Sequence, residues 1–291
     1  MLKNIELAAE NMPWLFTAFA FVFGACVGSF LNVCIYRIPN GESVVRPPSR
    51  CKCGAKIKWH DNIPILSWFL LRGKARCCGR RFSFRYAFVE ILTAVIFALV
   101  WAKFPPLASL VFMLFCAILI AASFIDIDCM ELPDFLTVGG CVAGAALSFF
   151  VPQVHISDFS AGNPFLFYAI KSLMVSAIGA CAGAGLLYWI RLMAEVVFRR
   201  EAMGEGDVVL VGCIGAFCGW QGALFAIFGG SLLGSVVMLP VVLFSKAFSR
   251  EEKFARMIPF GPWLSLGAVI YLLFADKYAD MYFDSVRELF F

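Results

Sequence analysis

Charge is scarce in this sequence. Of its 291 residues only 15% are charged, against 62% that are hydrophobic. A soluble protein of this size needs a polar, ion-rich surface, so the scarcity excludes that class and leaves a polytopic membrane protein. A signal-peptide boundary is also missing. The first apolar run, from about Pro13 to Tyr36, is too long for a signal h-region. It has no small-residue cleavage site ahead of a polar mature domain, so it is expected to stay as a transmembrane helix. No internal repeat longer than single glycine spacings is found. Nor does any of the twelve cysteines stand in a C-x-x-C pair. Seven of them (Cys26, Cys34, Cys116, Cys141, Cys181, Cys213 and Cys218) lie in or at the ends of apolar runs, where a cysteine acts as a small hydrophobe. That placement argues against a disulfide framework.

What the chain does have is apolar length. Eight runs stand out, at roughly 13–36, 86–102, 107–125, 135–151, 166–190, 207–219, 222–245 and 260–275. About 20 residues span a bilayer, within a range of about 17–25. The sixth run is short by that measure. Either the bilayer thins or water enters beside it, or its first turn includes Gly204 and it tilts little. The expected fold is an all-α polytopic membrane protein of about eight transmembrane helices, with a small cysteine-containing cytoplasmic domain between helices 1 and 2. The expected division is 1–36 for the first helix, 37–85 for the cytoplasmic domain, 86–275 for a seven-helix membrane core, and 276–291 for an external tail.

The net charge of +4 says little, but the placement of Lys and Arg says more. Segment 37–85 holds twelve of the 24 basic residues, and loops 191–206 and 246–259 bring that side to nineteen. Lys3, Lys103, Lys171, Lys277 and Arg287 are left for the other side. By the positive-inside rule the large loop faces the cytoplasm and both termini face out. Lys103-Phe104-Pro105-Pro106 reads as an external turn, and 152–165 as an irregular external loop. The tail after Asp276 reads as an interfacial helix or a solvated end with aromatic anchors.

The chemistry gathers around Gly204-Glu205-Gly206-Asp207, at the mouth of the sixth run. A carboxylate at the edge of hydrocarbon is costly, and the flanking glycines permit close backbone approach. Ser123-Phe124-Ile125-Asp126-Ile127-Asp128 ends the third run. The topology brings Asp126 and Asp207 to the same membrane face. Two carboxylates held close in a low-dielectric site share a proton, and such a pair can act as base on a water and as acid on a carbonyl oxygen. The plainer reading is that each aspartate caps a helix. Asp128, Glu131 and Asp134 fit that plainer role, with Asp134 after Pro133 marking the start of the fourth run. They also gather with Glu205 into an acidic mouth.

Three further features carry open alternatives. Cys51, Cys53, Cys77 and Cys78 cluster in a polar stretch; they are either zinc ligands, unliganded thiols or a disulfide pair. Trp59, Trp68, Phe69, Phe82 and Phe84 offer that stretch a small core. Glu90, just inside the second run, is either a snorkelling or paired side chain near Arg85 or a functional one. Ile258-Pro259-Phe260-Gly261-Pro262-Trp263 forces non-helical backbone at the membrane surface. It is either a helix start or a lining of the site, tolerated where protein or a wet cavity covers it.

Taken together, these residues resemble the type IV prepilin peptidases, which are bifunctional leader peptidases and N-methyltransferases. The resemblance runs through Gly28-Ser29-Phe30-Leu31-Asn32-Val33 with Tyr36-Arg37-Ile38-Pro39, and through Asp61-Asn62-Ile63-Pro64-Ile65-Leu66-Ser67-Trp68. It continues in Phe82-Ser83-Phe84-Arg85-Tyr86 with Val89-Glu90, and in Ile125-Asp126-Ile127-Asp128 with Leu132-Pro133-Asp134. It ends in Gly204 to Asp207 and Pro259-Phe260-Gly261-Pro262. It implies that Asp126 and Asp207 are the catalytic aspartates, and Gly204, Gly206, Asp128, Glu131, Glu205, Pro259 and Gly261 are candidates to line the site. It also implies cleavage of a basic leader after a glycine at the cytoplasmic face of a bacterial inner membrane. The new N-terminus would then be methylated from S-adenosylmethionine. The implied partners are prepilins or type II secretion pseudopilins and membrane lipids, with no nucleic acid. The chain departs from the family pattern twice: Ala75 stands where a third knuckle cysteine would fall, and Val209 where a lysine is usual. Two rivals remain. An intramembrane protease of the presenilin kind would act on other transmembrane segments. A proton-coupled transporter or channel would carry its acids near the bilayer midplane instead.

Overall fold

The computed structural model describes residues 11–46, 51, 53–156, 164–199, 203–248, 259–279, 281, 282 and 285. Among them the structure is helical, with no strand beyond an isolated bridge between Lys74 and Arg81. The chain packs as two compact units, Met1–Ala121 and Ala122–Phe291.

In the first unit, α1 (Pro13–Arg37) starts with a proline in its first turn, where the missing N–H costs nothing. A short 3₁₀ turn, Trp59–Asn62, and the five-residue α2 (Leu66–Leu70) follow, then α3 (Arg85–Lys103). The α1 and α3 helices meet through small residues. A Cβ placed on Gly24 would lie 2.8 Å from Ala94 Cα, so the two backbones touch there. Phe16 stacks on Trp101 at 5.9 Å near the other end of the pair. Helix α4 (Pro106–Cys129) begins after Pro105 and carries the chain into the second unit.

In the second unit, α5 (Asp134–Phe150) begins at the expected Pro133-Asp134 start, with the acid in its first turn. Helix α6 (Phe165–Phe198) buries Ser172, Ser176, Gly179 and Gly183 along one stripe. That stripe lets Gly179 and Gly215 of α7 (Glu205–Phe248) meet backbone to backbone. The long α7 is broken at Gly219, which sits at φ 69 and ψ −179, open to glycine alone. The chain turns back there. A Cβ on Gly183 would lie 2.7 Å from Ala223 Cβ and 3.1 Å from Val211 Cγ1. A straight helix would hold Val211 and Ala223 about 18 Å apart. The sixth and seventh apolar runs are therefore two antiparallel arms of one broken helix. The second arm runs beside α8 (Gly261–Ile270, continued by a π-type turn, Tyr271–Ala275). Gly222 lies against Tyr271 and Gly230 against Trp263, so these two also run antiparallel.

Among the described residues five helices qualify as membrane spans by length and composition: α1, α3, α4, α6 and α7. The figure is below the expected eight because α5 has only 17 residues, α8 only 10, and α7 holds two apolar runs.

Candidate active site

Asp126 occupies the last turns of α4, where Met130 at φ 56 leaves the helix and the following Leu132-Pro133 redirects the chain into α5. The Asp126 side chain is only 6% exposed. It does not end up as a helix cap. Its Oδ2 instead accepts the backbone N–H of Gly261 at 3.0 Å, at the first residue of α8. A Cβ at Gly261 would lie 2.7 Å from that oxygen, so only glycine admits this approach without displacement. Pro259 and Phe260 precede the helix, half-buried, with Phe260 as its N-cap.

Asp207 sits in the first turn of α7, 8% exposed. The Gly204 backbone hydrogen-bonds its carboxylate, the reach-back of an acid to the helix start that also makes a capping box. For Asp207 the capping reading and the functional reading thus coexist. The two carboxylates are close enough to feel each other's charge. Gly206 has a steric role: a Cβ there would come within 2.7 Å of Leu132 Cβ, in the turn that follows Asp126. Small residues on both sides therefore allow the start of α7, the start of α8 and the end of α4 to converge.

The remaining acids lie around this pair but outside its buried centre. Asp128 and Glu131 are exposed. Glu205 is 85% exposed and accepts a hydrogen bond from Arg191 Nη2 at 3.2 Å. Arg191 also bonds Glu195 at 2.8 Å. Much of the charge that Glu205 would lend an acidic mouth is thus already paired. No local pattern announces this pairing, since the partner lies on another helix.

The four cysteines meet despite their spacing. Cys51 Sγ lies 3.6 Å from Cys78 Sγ, Cys53 Sγ lies 3.4 Å from Cys77 Sγ, and all four sulfurs are within 4.8 Å of one another. They are free thiols at non-bonded separation. Two turns bring them together. One closes through Cys51 N–H to Ala55 carbonyl at 2.9 Å, the other through Gly79 N–H to Ala75 carbonyl at 2.8 Å. The turns pair crosswise, so C-x-C and C-C spacing does not prevent convergence. Zn–S bonds of about 2.3 Å in a tetrahedron require sulfurs about 3.8 Å apart. The cluster is close to that size, and the donor set suits zinc. A hydrogen bond from the Cys53 backbone, aided by the neighbouring thiols, pulls the Cys51 thiol down to about 7. Hydrogen bonding with Cys53 and then Cys51 pushes Cys77 up to about 12.

Two half-buried groups gain partners from the fold; the sequence marks Glu90 as a candidate and leaves His155 unmarked. Glu90 accepts the Ile65 backbone N–H, a contact no local pattern announces. His155, beyond α5, places Nε2 at 3.1 Å from Ser148 Oγ and 3.2 Å from the Ala216 carbonyl. Ser148 gives its own proton to Gly144 at 2.7 Å, so Nε2 carries the proton and donates. Burial pushes this imidazole down to about 4.

Comparison with known proteins gives two family matches. Residues 22–104 match the bacterial peptidase A24 N-terminal domain, and residues 113–239 match the type IV leader peptidase family. A prepilin leader peptidase/N-methyltransferase of Myxococcus xanthus is 39% identical over 82% of this chain and 67% of its own length. A protein of the same description from Aeromonas hydrophila is 32% identical over 96% of this chain and 97% of its own. A type 4 prepilin-like proteins leader peptide-processing enzyme of Escherichia coli is 34% identical over 90% and 96%. No solved structure matches the chain.

Proposed function

The chain belongs to the type IV leader peptidase family, and from that premise we propose that it removes the basic leader from type IV prepilins or type II secretion pseudopilins and methylates the N-terminus so released. The observation that carries the cleavage reading is the buried pair Asp126 and Asp207, brought to one place by the ends of α4, α7 and α8. In this reading the ionised carboxylate takes a proton from water, which attacks the scissile carbonyl carbon. The protonated one gives its proton to the carbonyl oxygen. Collapse of the tetrahedral intermediate breaks the C–N bond, the departing amine collects the proton held by the first aspartate, and one hydroxyl of the diol returns its proton to the second. The Gly261 N–H keeps the Asp126 carboxylate in one orientation through the cycle. Pro259, Gly204 and Gly206 shape the backbone around the pair, while Asp128, Glu131 and Glu205 stand at its rim.

The nineteen basic residues on one side support a cytoplasmic site and a cytoplasmic segment 37–85, in the bacterial inner membrane. An all-helical core of about eight crossings fits the eight apolar runs and the turn-back at Gly219. The methyl donor in this reading is S-adenosylmethionine. When bound, it would supply the methyl group to the freed amine. Cys51, Cys53, Cys77 and Cys78 would hold a structural zinc, which clamps the two turns and supplies no reacting group.

The test is replacement of Asp126 and Asp207, one at a time, by Asn. Each variant should insert normally and leave a prepilin uncut. Substantial cleavage by either variant would sink the aspartyl mechanism.

A further inference from the structure

Glu90 belongs to the first compact unit, and the cleavage chemistry above makes no use of it. Its carboxylate is nonetheless well held. Oε2 accepts the Ile65 backbone N–H at 2.6 Å, and Ser29 of α1 hydrogen-bonds the same group. One turn away on both helices, the Asn32 amide donates to the Tyr86 carbonyl at 3.0 Å. Gly28 makes room for this arrangement: a Cβ there would lie 2.7 Å from Glu90 Cα.

The residue that Glu90 grips is strained. Ile65 sits at φ 64 and ψ −58, and the Leu66 N–H bonds back to the Pro64 carbonyl at 2.6 Å. These are the marks of a γ-turn of the rare positive-φ kind. A β-branched residue is a poor occupant of it. Such backbone persists where its surroundings over-determine it, and it clusters at functional sites. Here the direction of the turn decides where the following segment lies. Helix α2 starts at Leu66 and carries Trp68, whose ring meets Phe69 and Phe84 edge-on at 5.2 and 4.9 Å. Beyond it Phe82 N–H bonds the Gly73 carbonyl at 2.9 Å, closing the turn that bears Cys77 and Cys78. Arg76 grips Asp61 through Nε at 3.0 and 3.2 Å and through Nη2 at 2.9 Å.

The aspartate pair and the contacts described for it lie wholly within residues 122–291. The region around Ile65 and Glu90 falls in the separately matched stretch 22–104. We propose that Glu90 is a positioning residue for methyl transfer: by holding the Ile65 γ-turn against α1 and α3 it sets the cysteine-bearing segment in its working place. This rests on the reading that the chain is a methyltransferase as well as a peptidase. Glu90 acts here through an acceptor oxygen, not through its charge, and that distinguishes the proposal from a role as proton acceptor.

The experiment uses the full chain in lipid vesicles with a type IV prepilin and methyl-labelled S-adenosylmethionine, scoring cleavage and label in parallel. Glu90→Ala should cut as the wild type does but transfer methyl more slowly, on the order of 100-fold for a misplaced site. Glu90→Gln keeps an acceptor oxygen and should retain most methyl transfer with an unchanged pH profile. Ile65→Gly, which takes positive φ without strain, should restore much of the loss when combined with Glu90→Ala. Normal methyl transfer by Glu90→Ala overturns the proposal. So does a Glu90→Gln variant as slow as Glu90→Ala, or a double variant no faster than Glu90→Ala alone. A wild type that cleaves but takes no label overturns the methyltransferase reading, and this proposal with it.

Discussion

Gly261 and Asp126, 135 positions apart in sequence, are joined by one hydrogen bond of 3.0 Å from backbone N–H to Oδ2. The contact ties the start of α8 to the end of α4, and it exists because residue 261 has no side chain.

Gly261→Ala should therefore damage cleavage while leaving the fold in place. The added methyl would lie 2.7 Å from Oδ2, so the carboxylate must swing away. Misplacement of this kind costs on the order of 100-fold in rate. Steady-state cleavage of a prepilin should show the loss mainly in kcat. A variant that cuts at wild-type rate would show that the Gly261 contact does not orient Asp126.

His155 makes stability depend on pH. Its native imidazole is pushed down to about 4 by burial, against an ordinary value near 6.5. Between those values the unfolded chain binds the extra proton, so stability is whole above about 6.5 and is lost as pH falls toward 4, by up to about 3 kcal/mol. Thermal unfolding in detergent should show Tm falling over that range. His155→Gln should flatten this part of the profile. An identical slope in the variant would mean other groups govern it.

The cysteine cluster should take up one zinc per chain, with proton release. Metal needs thiolates, and Cys51 sits near 7, so affinity should fall steeply as pH drops below neutrality. A chelator should strip the metal and expose Cys51, Cys53, Cys77 and Cys78 to alkylation, read by mass spectrometry. Alkylation rates indifferent to both zinc and chelator would leave the four as plain thiols.

Neutralising Glu131 and Glu205 together, each by Gln, tests the acidic mouth. Both are exposed and Glu205 already pairs with Arg191, so the effect should be modest. KM for a basic leader should rise less than about fivefold at low salt, with kcat held. The difference should vanish in high salt, where screening acts over about 3 Å. An unchanged KM at low salt would move leader recognition to the lipid surface or to the glycine before the cut bond.

Much of this protein was legible without a structure. Apolar runs mark its helices because a bilayer admits little else, and the Pro133-Asp134 start of α5 was written locally. The clustering of Lys and Arg leads to the expectation that Asp126 and Asp207 share one membrane face, because the positive-inside rule depends on charge counts and not on contacts. These features are short-range or additive along the chain, so a sequence states them directly.

Tertiary structure decided the rest. The turn-back at Gly219 makes one helix into two arms, and only packing against α6 shows which way the second arm runs. The convergence of four cysteines overrides an unpromising spacing, because two separate turns can meet where one cannot. Arg191 pairs with Glu205 from another helix, and Glu90 holds a turn that an isoleucine would avoid by itself. Each of these joins residues far apart in the chain, and the energy that selects them comes from close packing and from satisfying buried polar groups. Local propensity carries no record of either, whereas composition and charge carry a full record of the membrane.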